Sequence, residues 1–209
     1  MTKVFALGGS VITRDLEKLE NIAEGINSHV DQVAVVTGAG SLKKYIDVAE
    51  TSQYGKDMVG IVATRLHAKT LKTLLQGTYS DIPESAEDLE KAANSDKNFV
   101  TGGITPGYST DAVAALCAEI TSAKLYIASK VDGIYEKDPD IEDSEKYKEI
   151  TTGEIREVLQ SSDKAGHHGL IDRTALRIIE RSQLDAKVIE GTPENLANPE
   201  EANGTEIKH

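Results

Sequence analysis

The stretch Val-Phe-Ala-Leu-Gly-Gly-Ser at residues 4–10 decides the fold, because a short apolar run stops abruptly at a pair of glycines. Apolar residues then recur at helical spacing between residues 16 and 30. This order predicts a buried strand, a tight turn and an amphipathic helix. The stretch Val-Ala-Val-Val-Thr-Gly-Ala-Gly at residues 33–40 repeats the strand and the turn, and a second helix is expected over residues 42–49. The N-terminal part therefore predicts two successive βα units.

The rest of the chain continues to alternate strands and helices. An apolar run at residues 99–101 precedes a helix over residues 111–120 that is nearly apolar all round and is expected to be central. The alternation predicts an α/β fold, a three-layer αβα sandwich with a mainly parallel central sheet, in one domain of two lobes over residues 1–209. Further strands are expected at residues 124–129, 186–190 and 205–207, and further helices at about 56–75, 85–93, 151–159 and after Asp172.

Side-chain patterns add details to three of these segments. In the long helix, Val59, Val62, Leu66 and Leu74 are expected to face the core. The charged stretch at residues 140–149 is expected to be a loop. Thr151 and Glu154 have the spacing of a capping box, and Asp172 is expected to cap the helix that follows it.

Composition excludes several classes of protein. The 209 residues are 39% hydrophobic, which is enough for a continuous core and excludes collagen-like, disordered and coiled-coil chains. The 35 acidic residues outnumber the 23 basic ones, and the formal net charge of −12 argues against a nucleic-acid partner or an anionic membrane surface. No run of 18 apolar residues is present, so we expect no membrane segment and a cytoplasmic location. The single cysteine, Cys117, excludes a disulfide within the chain.

Four loops that follow the expected strands carry glycine or hydroxyl residues. They lie at residues 8–10, 38–40, 102–110 and 129–133, and the carboxyl ends of parallel strands share one edge of the sheet. Glycine lets backbone N–H groups approach an anion, and a helix that begins behind the loop adds further donors. The first three loops together predict a ligand rich in phosphate.

Two familiar phosphate-binding motifs do not fit these loops, and no metal site is evident. Gly102 and Gly107 have the spacing of a P-loop, but Tyr108 occupies the position where that motif has a lysine. In a dinucleotide-binding fingerprint that begins at Gly38, Lys43 stands where a small residue is required. The adjacent pair at residues 167–168 consists of two histidines, which point to opposite faces of a strand and are interpreted as loop or surface residues.

Several polar residues allow both a functional and a structural interpretation. Lys43, one turn into the second helix, either neutralises a phosphate or is solvated, and Arg65 either binds an anion or forms a structural ion pair. Asp57 and Asp111 lie near helix starts, where they either stabilise the helix dipole or hold ribose hydroxyls or metal-associated water. Residues 135 and 138 flank a turn and either contact a nucleoside or are ordinary turn residues.

The motifs resemble, in order and over nearly the whole chain, those of the archaeal-type uridylate (UMP) kinases of the amino acid kinase superfamily. The most specific stretch is Ser-Thr-Asp-Ala-Val-Ala-Ala-Leu at residues 109–116. The other matching segments are residues 8–11, 38–40, 45–50, 101–107, 131–135, 138–139 and 171–172. The glycine loops alone are also similar to those of carbamate, aspartate and acetylglutamate kinases.

The resemblance implies transfer of the γ-phosphoryl group of ATP to UMP, with magnesium, by a homo-oligomer that is a hexamer in the family. It implies an acceptor-binding lobe at about residues 1–122 and an ATP-binding lobe at about 123–209. The residues expected to be catalytic are Lys43, Ser10 and Asp111. Those expected at ATP are Gly9, Ser10, Gly40, Lys43, Ser129, Tyr135 and Asp138. Those expected at UMP are Ala39, Asp57, Ile104, Thr105, Pro106, Gly107, Tyr108, Ser109 and Thr110. The metal ligands are left open.

The chain departs from the family pattern at several of these positions. Ala39 replaces the middle glycine of the second loop, and Lys43 offers a point charge where the family has the fork of an arginine. Ser129 and Lys130 replace a Thr-Asn pair. Two alternatives therefore stay open: another small-molecule phosphate kinase, similar to isopentenyl phosphate kinase, and a nucleotide-binding regulatory subunit with weak turnover. The first alternative is disfavoured because residues 40–50 contain no histidine.

Overall fold

The computed structural model describes residues 2–13, 16–136, 144–161 and 171–209, and these form an α/β fold around one sheet. The described strands are β1 (Lys3–Leu7), β2 (Val33–Thr37), β3 (Phe99–Thr101), β4 (Lys124–Ser129), β5 (Glu149–Thr151), β6 (Ala186–Glu190) and β7 (Gly204–Lys208). The described helices are α1 (Gly9–Thr13), α2 (Leu16–Asn27), α3 (Lys43–Asp47), α4 (Gln53–Lys72), α5 (Ala86–Ala93), α6 (Thr110–Thr121), α7 (Thr152–Ser161), α8 (Arg173–Ser182) and α9 (Pro193–Ala197).

The sheet is mainly parallel, as the sequence predicts. Its order is β3-β2-β1-β4-β6-β7-β5, and among these neighbours only β6 and β7 pair antiparallel. The chain moves outward from β1 to β2 and β3, and then crosses to the other side of β1 to form β4. The winding therefore changes direction at β1 and β4, and a crevice opens beyond the carboxyl ends of strands at such a point.

Alternate residues of the central strands pack into two separate cores, one on each face of the sheet. Val4 and Ala6 of β1 join the cluster that includes buried residues of α6 and α8, and Phe5 and Leu7 join the cluster beneath α2, α4 and α9. Helices therefore cover both faces, which confirms the three-layer αβα architecture. Cys117 is buried in α6, as its apolar neighbours suggest.

The long helix α4 faces the core differently from the expectation. Val62 and Leu66 are 66% and 55% exposed, whereas α4 buries Ile61, Ala63, Ala68 and Leu71. Of the four residues expected inward, Leu74 packs against the core just beyond the helix. The helix has apolar residues on two faces, and periodicity alone cannot tell which one meets the sheet. The prediction for Val62 and Leu66 is wrong.

Two further segments, one after β2 and one at β5, also differ from the expectation. The helix expected over residues 42–49 is a 3-10 turn, Gly40–Leu42, followed by the short helix α3, and neither buries a residue. In the stretch expected to be a loop, residues 140–149, the first four residues lie outside the described residues, and Glu149 begins β5. This three-residue strand forms by pairing with β7, a partner more than fifty residues away that local sequence does not reveal.

Both predicted helix caps are present. Thr151 Oγ1 accepts from the backbone N–H of Glu154, and the Glu154 carboxylate accepts from the backbone N–H of Thr151 at 2.8 Å. Asp172 accepts from the backbone N–H groups of Thr174 and Ala175. Across the described part of the chain, no helix is long and apolar enough to cross a bilayer.

Candidate active site

The start of α1, directly after β1, touches the loop after β2 at the carboxyl edge of the sheet. A Cβ atom on Gly9 would lie 2.2 Å from the backbone nitrogen of Gly40, and one on Gly38 would lie 2.5 Å from that of Gly9. Gly40 also has a φ of 53°. Any side chain at Gly9 or Gly38 would therefore collide with backbone, and the glycines expected to approach a ligand are required for the two segments to approach each other.

A histidine that sequence reasoning did not select supports this junction. The His67 Nδ1 atom of α4 lies 2.8 Å from the carbonyl oxygen of Gly38. Thr37, at the end of β2, is completely buried, and its hydroxyl donates to the Thr64 carbonyl at 2.8 Å. Two residues of α4 therefore hold the second glycine loop from behind.

A cavity of about 450 Å³ lies on one side of the glycine junction, between α3, α4 and the loop that follows β3. It contains six of the nine residues expected at the acceptor, and Lys43 as well. Ile104, Pro106 and Gly107 do not line it; Ile104 packs against the core. The lining residues are Ala39, Lys43, Ile46, Lys56, Asp57, Gly60, Ile61, Thr64, Gly103, Thr105, Tyr108, Ser109 and Thr110.

Two lysines give this cavity its positive charge. Lys43 is exposed at the start of α3, and its side chain has no hydrogen bond or ion pair with any described residue. Lys56, which sequence reasoning missed, lines the same cavity from the first turn of α4. In a chain of net charge −12, two cations in one cavity that have no carboxylate partner within the described structure favour an anionic ligand. The sequence feature that could have indicated Lys56 is its position directly before Asp57, a residue already expected at the acceptor.

Asp57 holds the acceptor loop in place. One carboxylate oxygen accepts from the backbone N–H of Gly107 at 2.9 Å, and the other accepts from the side-chain amide of Gln53 at 2.8 Å. Gly107 has a φ of 80°, which a glycine adopts without strain. Asp57 thus fixes the tip of the loop and lines the cavity at the same time, while a contact with ribose stays a prediction.

Arg65 is a structural residue. Its Nε atom donates to the Gly103 carbonyl at 2.9 Å, and its guanidinium forms an ion pair with Glu84 at 2.7 Å. Gly103 in turn donates its backbone N–H to the hydroxyl of Thr64 at 2.7 Å. The acceptor loop is therefore attached to α4 near its start and, through Asp57, near its tip. Of the two interpretations open for Arg65, the structure shows the ion pair.

The start of α6 contacts the start of α8 next to the cavity, and each of these helix starts carries a carboxylate. Ser109 caps α6 by accepting from the backbone N–H of Ala112, and its hydroxyl donates to Asp172. Asp111 faces Asp172, and burial, with a smaller contribution from the Asp172 charge, raises the pKa of Asp111 to about 7. Because the Asp111 carboxyl has no hydrogen bond to any described residue, it is the least satisfied acid of the site.

A second cavity of about 220 Å³ lies on the other side of the glycine junction. It contains two of the residues expected at ATP, Ser10 and Ser129. It also contains Glu190 and Thr192 at the end of β6, which sequence reasoning missed because the segment lacks a glycine-rich motif. The remaining lining residues are Val11, Ile22, Lys130, Gly191 and Pro193.

The residues expected around the ATP nucleoside are only partly placed here. Tyr135 does not line the second cavity; its hydroxyl donates to Asp132 at 2.5 Å, and this hydrogen bond raises the pKa of Tyr135 to about 12. Asp132 also pairs with Lys146 at 2.6 Å. Asp138 and the two histidines at residues 167–168 lie outside the described residues. The nucleoside role of Tyr135 and Asp138 stays a prediction.

The chain is an α/β protein with a cavity on each side of a glycine junction, and comparison with known proteins identifies its class. The model of the amino acid kinase family matches residues 1–190. The chain belongs to the amino acid kinase family.

Full-length relatives give a narrower comparison. The chain is 39% identical to the uridylate kinase of Methanocaldococcus jannaschii over 100% of both chains. It is 39% identical to the uridylate kinase of Archaeoglobus fulgidus, over 99% of this chain and 100% of that one. The crystal structure of uridylate kinase from Archaeoglobus fulgidus matches with a TM-score of 0.89 and 34% identity, and covers 99% of this chain. UMP kinase from Ureaplasma parvum, with a TM-score of 0.78 at 20% identity, shows the same fold.

Proposed function

We propose that this chain is a UMP kinase that transfers the γ-phosphoryl group of ATP to UMP and releases UDP and ADP. The observation that carries the proposal is the pair of cavities that flank the contact between Gly9 and Gly40, one lined by Ala39 and the other by Ser10. The full-length relatives named uridylate kinase support UMP as the acceptor. In this assignment the 450 Å³ cavity takes UMP and the 220 Å³ cavity takes part of ATP.

Positioning and charge neutralisation provide the catalysis in this proposal. An oxygen of the UMP phosphate attacks the γ-phosphorus of ATP, the bond to the β,γ-bridging oxygen breaks, and ADP leaves with that oxygen. Lys43 lies on the acceptor side of the junction, where it neutralises charge on the transferring group, and Lys56 holds the UMP phosphate. Backbone N–H groups of the loops at Gly9 and Gly40, with the Ser10 hydroxyl, face the ATP phosphates.

The acceptor loop and Asp57 position the UMP nucleoside in this proposal. Six of the nine residues assigned to UMP line one cavity, and the backbone of the loop is attached to α4 at Gly103 and Gly107. A rigid loop reduces the entropy that substrate binding must overcome. Asp57 adds a ribose contact to its loop contact.

Magnesium fits the acids of this site. Magnesium is usually held by one or two carboxylates together with substrate phosphates and water. Asp111, whose carboxyl has no other partner among the described residues, and Asp172 beside it are the carboxylates that would hold the ion. A bound ion supplies positive charge that stabilises the phosphates during transfer.

The wider assignments follow from the same proposal. The product UDP places the reaction in pyrimidine nucleotide biosynthesis, in the cytoplasm, and neither nucleic acid nor membrane takes part. The part of the chain up to about residue 122 forms the acceptor-binding lobe, since it supplies every residue that lines the larger cavity, and the part from about 123 forms the ATP-binding lobe.

A homo-oligomer, a hexamer by resemblance to the family, completes the proposal. The outer faces of α3 and α4 expose apolar side chains that form one stripe, and a monomer seldom exposes a patch of this kind. A second copy that packs its own α4 against this stripe would bury both faces by two-fold symmetry. The stripe consists of Tyr45, Val48, Tyr54, Met58, Val62 and Leu66.

The experiment that tests the activity is an assay of ADP release from ATP and magnesium, run separately with UMP, CMP, AMP and isopentenyl phosphate as acceptors. We expect turnover with UMP that exceeds turnover with the other acceptors by at least ten-fold. Preference for isopentenyl phosphate would replace the proposal with the other small-molecule kinase. Binding of ATP without turnover on any acceptor would replace it with the regulatory subunit.

A further inference from the structure

The outer helices α7 and α8 carry a cluster of arginines that the proposed reaction does not use. The sequence has only six arginines among its 23 basic residues. Four of the six are in these two helices, and Arg156, Arg173 and Arg177 line a single cleft. Arginine differs from the far more abundant lysine in its planar fork of donors, which fits carboxylate and phosphate groups. The presence of three guanidinium groups in a single cleft requires an explanation.

The cleft keeps a positive charge in an acidic protein. Its volume is about 160 Å³, and its described lining consists of the three arginines, Leu159, Leu176 and Glu180. Glu180, the one carboxylate in this lining, forms an ion pair with Arg156. Among the described residues, Arg173 and Arg177 therefore have no carboxylate partner, although the whole chain has a net charge of −12.

The two remaining guanidinium groups differ in how much of their donor capacity is used. Arg173 donates one hydrogen bond, at 3.0 Å, to the Leu159 carbonyl in the last turn of α7, which leaves other donors. Arg177 is exposed, and its side chain has no hydrogen bond or ion pair with any residue that the structure describes. The two residues are four apart on α8, where like charges repel each other. An anion between them would remove this repulsion.

Arg181, one turn further along α8, provides the contrast. Its guanidinium forms an ion pair with Glu119 at 2.6 Å, and it does not line the cleft. The helix thus carries arginines at residues 173, 177 and 181, of which the last has a carboxylate partner and the first two face the cleft. The surface arginines of α8 are not uniformly solvated, and the difference coincides with the cleft.

We propose that the α7–α8 cleft is a binding site for a polyphosphate group, with Arg173 and Arg177 as its principal ligands and Arg156 at its side. Guanidinium forks bind phosphate oxygens through two parallel hydrogen bonds, which gives both affinity and orientation. The volume of 160 Å³ suits a short phosphate chain, whereas the acceptor cavity of 450 Å³ is almost three times as large. If the ligand is a nucleotide, its nucleoside extends out of the cleft.

The site is separate from the proposed active site. The cleft shares no lining residue with either of the two cavities at the glycine junction. Substitutions in the cleft therefore leave the groups assigned to UMP and ATP unchanged. The separation allows binding at the cleft to be measured while both substrate cavities are filled.

The experiment is calorimetric titration of the full chain with inorganic tripolyphosphate in the presence of saturating UMP and ADP. We expect one tripolyphosphate per chain for the unsubstituted protein. Arg177→Gln should weaken the affinity by ten-fold or more, because it removes a charged fork. Arg181→Gln, the matched control on the same helix, should change it by less than two-fold. Absence of binding to the unsubstituted protein, or an equal loss in both variants, would overturn the proposal.

Two additions make the test specific to the fork and to the source of the phosphate. Arg177→Lys keeps the charge and loses the fork, so its affinity should lie between those of the unsubstituted protein and Arg177→Gln, and an affinity below that of Arg177→Gln would contradict recognition by the cleft. Since Arg177 is exposed, the melting temperature of each variant should stay within about 2 °C of the unsubstituted value. Titration with UTP under the same conditions identifies the source: equal affinity indicates the phosphate chain alone, and higher affinity indicates a nucleotide whose nucleoside contacts the cleft rim.

Discussion

Lys43 is the residue whose chemistry is hardest to judge from sequence, because a solvated lysine and a catalytic one have the same pattern. The structure places it at the acceptor cavity without a carboxylate partner among the described residues. We expect Lys43→Ala to lower kcat by about ten-fold or more, since in the proposed reaction it removes a charge beside the transferring phosphoryl group. The measurement is steady-state turnover with UMP and ATP.

Lys44→Ala is the matched control for that substitution. The Lys44 Nζ atom lies over the Tyr45 ring, 5.2 Å from its centre, and does not line the cavity. Its replacement should change kcat by less than two-fold. Similar losses in Lys43→Ala and Lys44→Ala would mean that general surface charge, and not the position of Lys43, affects the rate.

Asp111 yields a prediction about pH. Its pKa is about 7 in the folded chain, above the ordinary value of 3.8, so the folded protein retains a proton that the unfolded chain releases between these values. The protonated Asp111 carboxyl therefore adds to the free energy of unfolding at low pH, and this contribution is lost as the pH rises through this window. Asp111→Asn cannot ionise, and in metal-free buffer it should raise the melting temperature by several degrees at pH 8 and much less at pH 4.5.

Thermal unfolding at the two pH values, with EDTA present, is the measurement. Asp185→Asn serves as the control, because Asp185 is exposed and its substitution should have little effect at either pH. If Asp111→Asn destabilised the protein at pH 8, the ionised carboxylate would have to be favourable in the fold.

At the scale of elements, α4 organises the acceptor site. It holds the loop after β3 through Thr64, Arg65 and Asp57. Asp57→Asn weakens the contact with Gly107 and removes the carboxylate expected at ribose. We expect the KM for UMP to rise at least five-fold, with a smaller change in the KM for ATP, in initial-rate measurements that vary each substrate.

Gln53→Ala is the control for Asp57. It removes the hydrogen bond to the other carboxylate oxygen and leaves the contact with Gly107 intact. The KM for UMP should stay within two-fold of the original value. Equal increases in the KM values for UMP and ATP in Asp57→Asn would show that Asp57 supports the whole site and has no particular role at the acceptor.

Most elements could be predicted from the sequence, and the exceptions have physical reasons. Strands such as Val33–Thr37 are buried on both faces, so they form continuous apolar runs that stop at glycine. Strand β5 has three residues and exists because β7 pairs with it. The inward face of α4 could not be predicted, because Val62 and Ile61 are equally apolar and only the tertiary contacts separate them.

The candidate site was predictable to the extent that its residues lie in glycine-rich loops. Thr105, Tyr108 and Ser109 line the acceptor cavity as expected, whereas Lys56 and Glu190 were missed. Both missed residues lie outside a recognisable motif and reach the site through the course of the fold. From the sequence, the glycines were expected to let the backbone approach a ligand. The structure shows that the contact between the two segments already requires glycine at Gly9 and Gly38.

At the scale of the whole molecule, the apolar stripe on α3 and α4 should control assembly. Leu66→Glu places a charge within the stripe that a second copy would bury, so the assembled species should dissociate into smaller ones. Sedimentation at micromolar concentration measures this change. The expected result is a mass well below that of the unsubstituted protein, with unchanged far-ultraviolet circular dichroism.

Val30→Glu is the control for assembly. Val30 is fully exposed and lies outside the stripe, so its substitution should leave the mass unchanged. A monomeric unsubstituted protein, or an unchanged mass in Leu66→Glu, would contradict assembly through this stripe.

Helix α4 has one further consequence that follows from its two neighbouring faces. One face carries Asp57, Ile61 and Thr64 to the acceptor cavity, and the next carries Met58, Val62 and Leu66 to the surface. If a second subunit packs on the surface face, α4 contacts both the acceptor and that subunit. Thermodynamic linkage then requires the coupling to be reciprocal. If acceptor binding strengthens subunit association, association strengthens acceptor binding by the same free energy. The titration curve for the acceptor would then depend on protein concentration, so that dilute and concentrated samples of the enzyme would show different acceptor affinities.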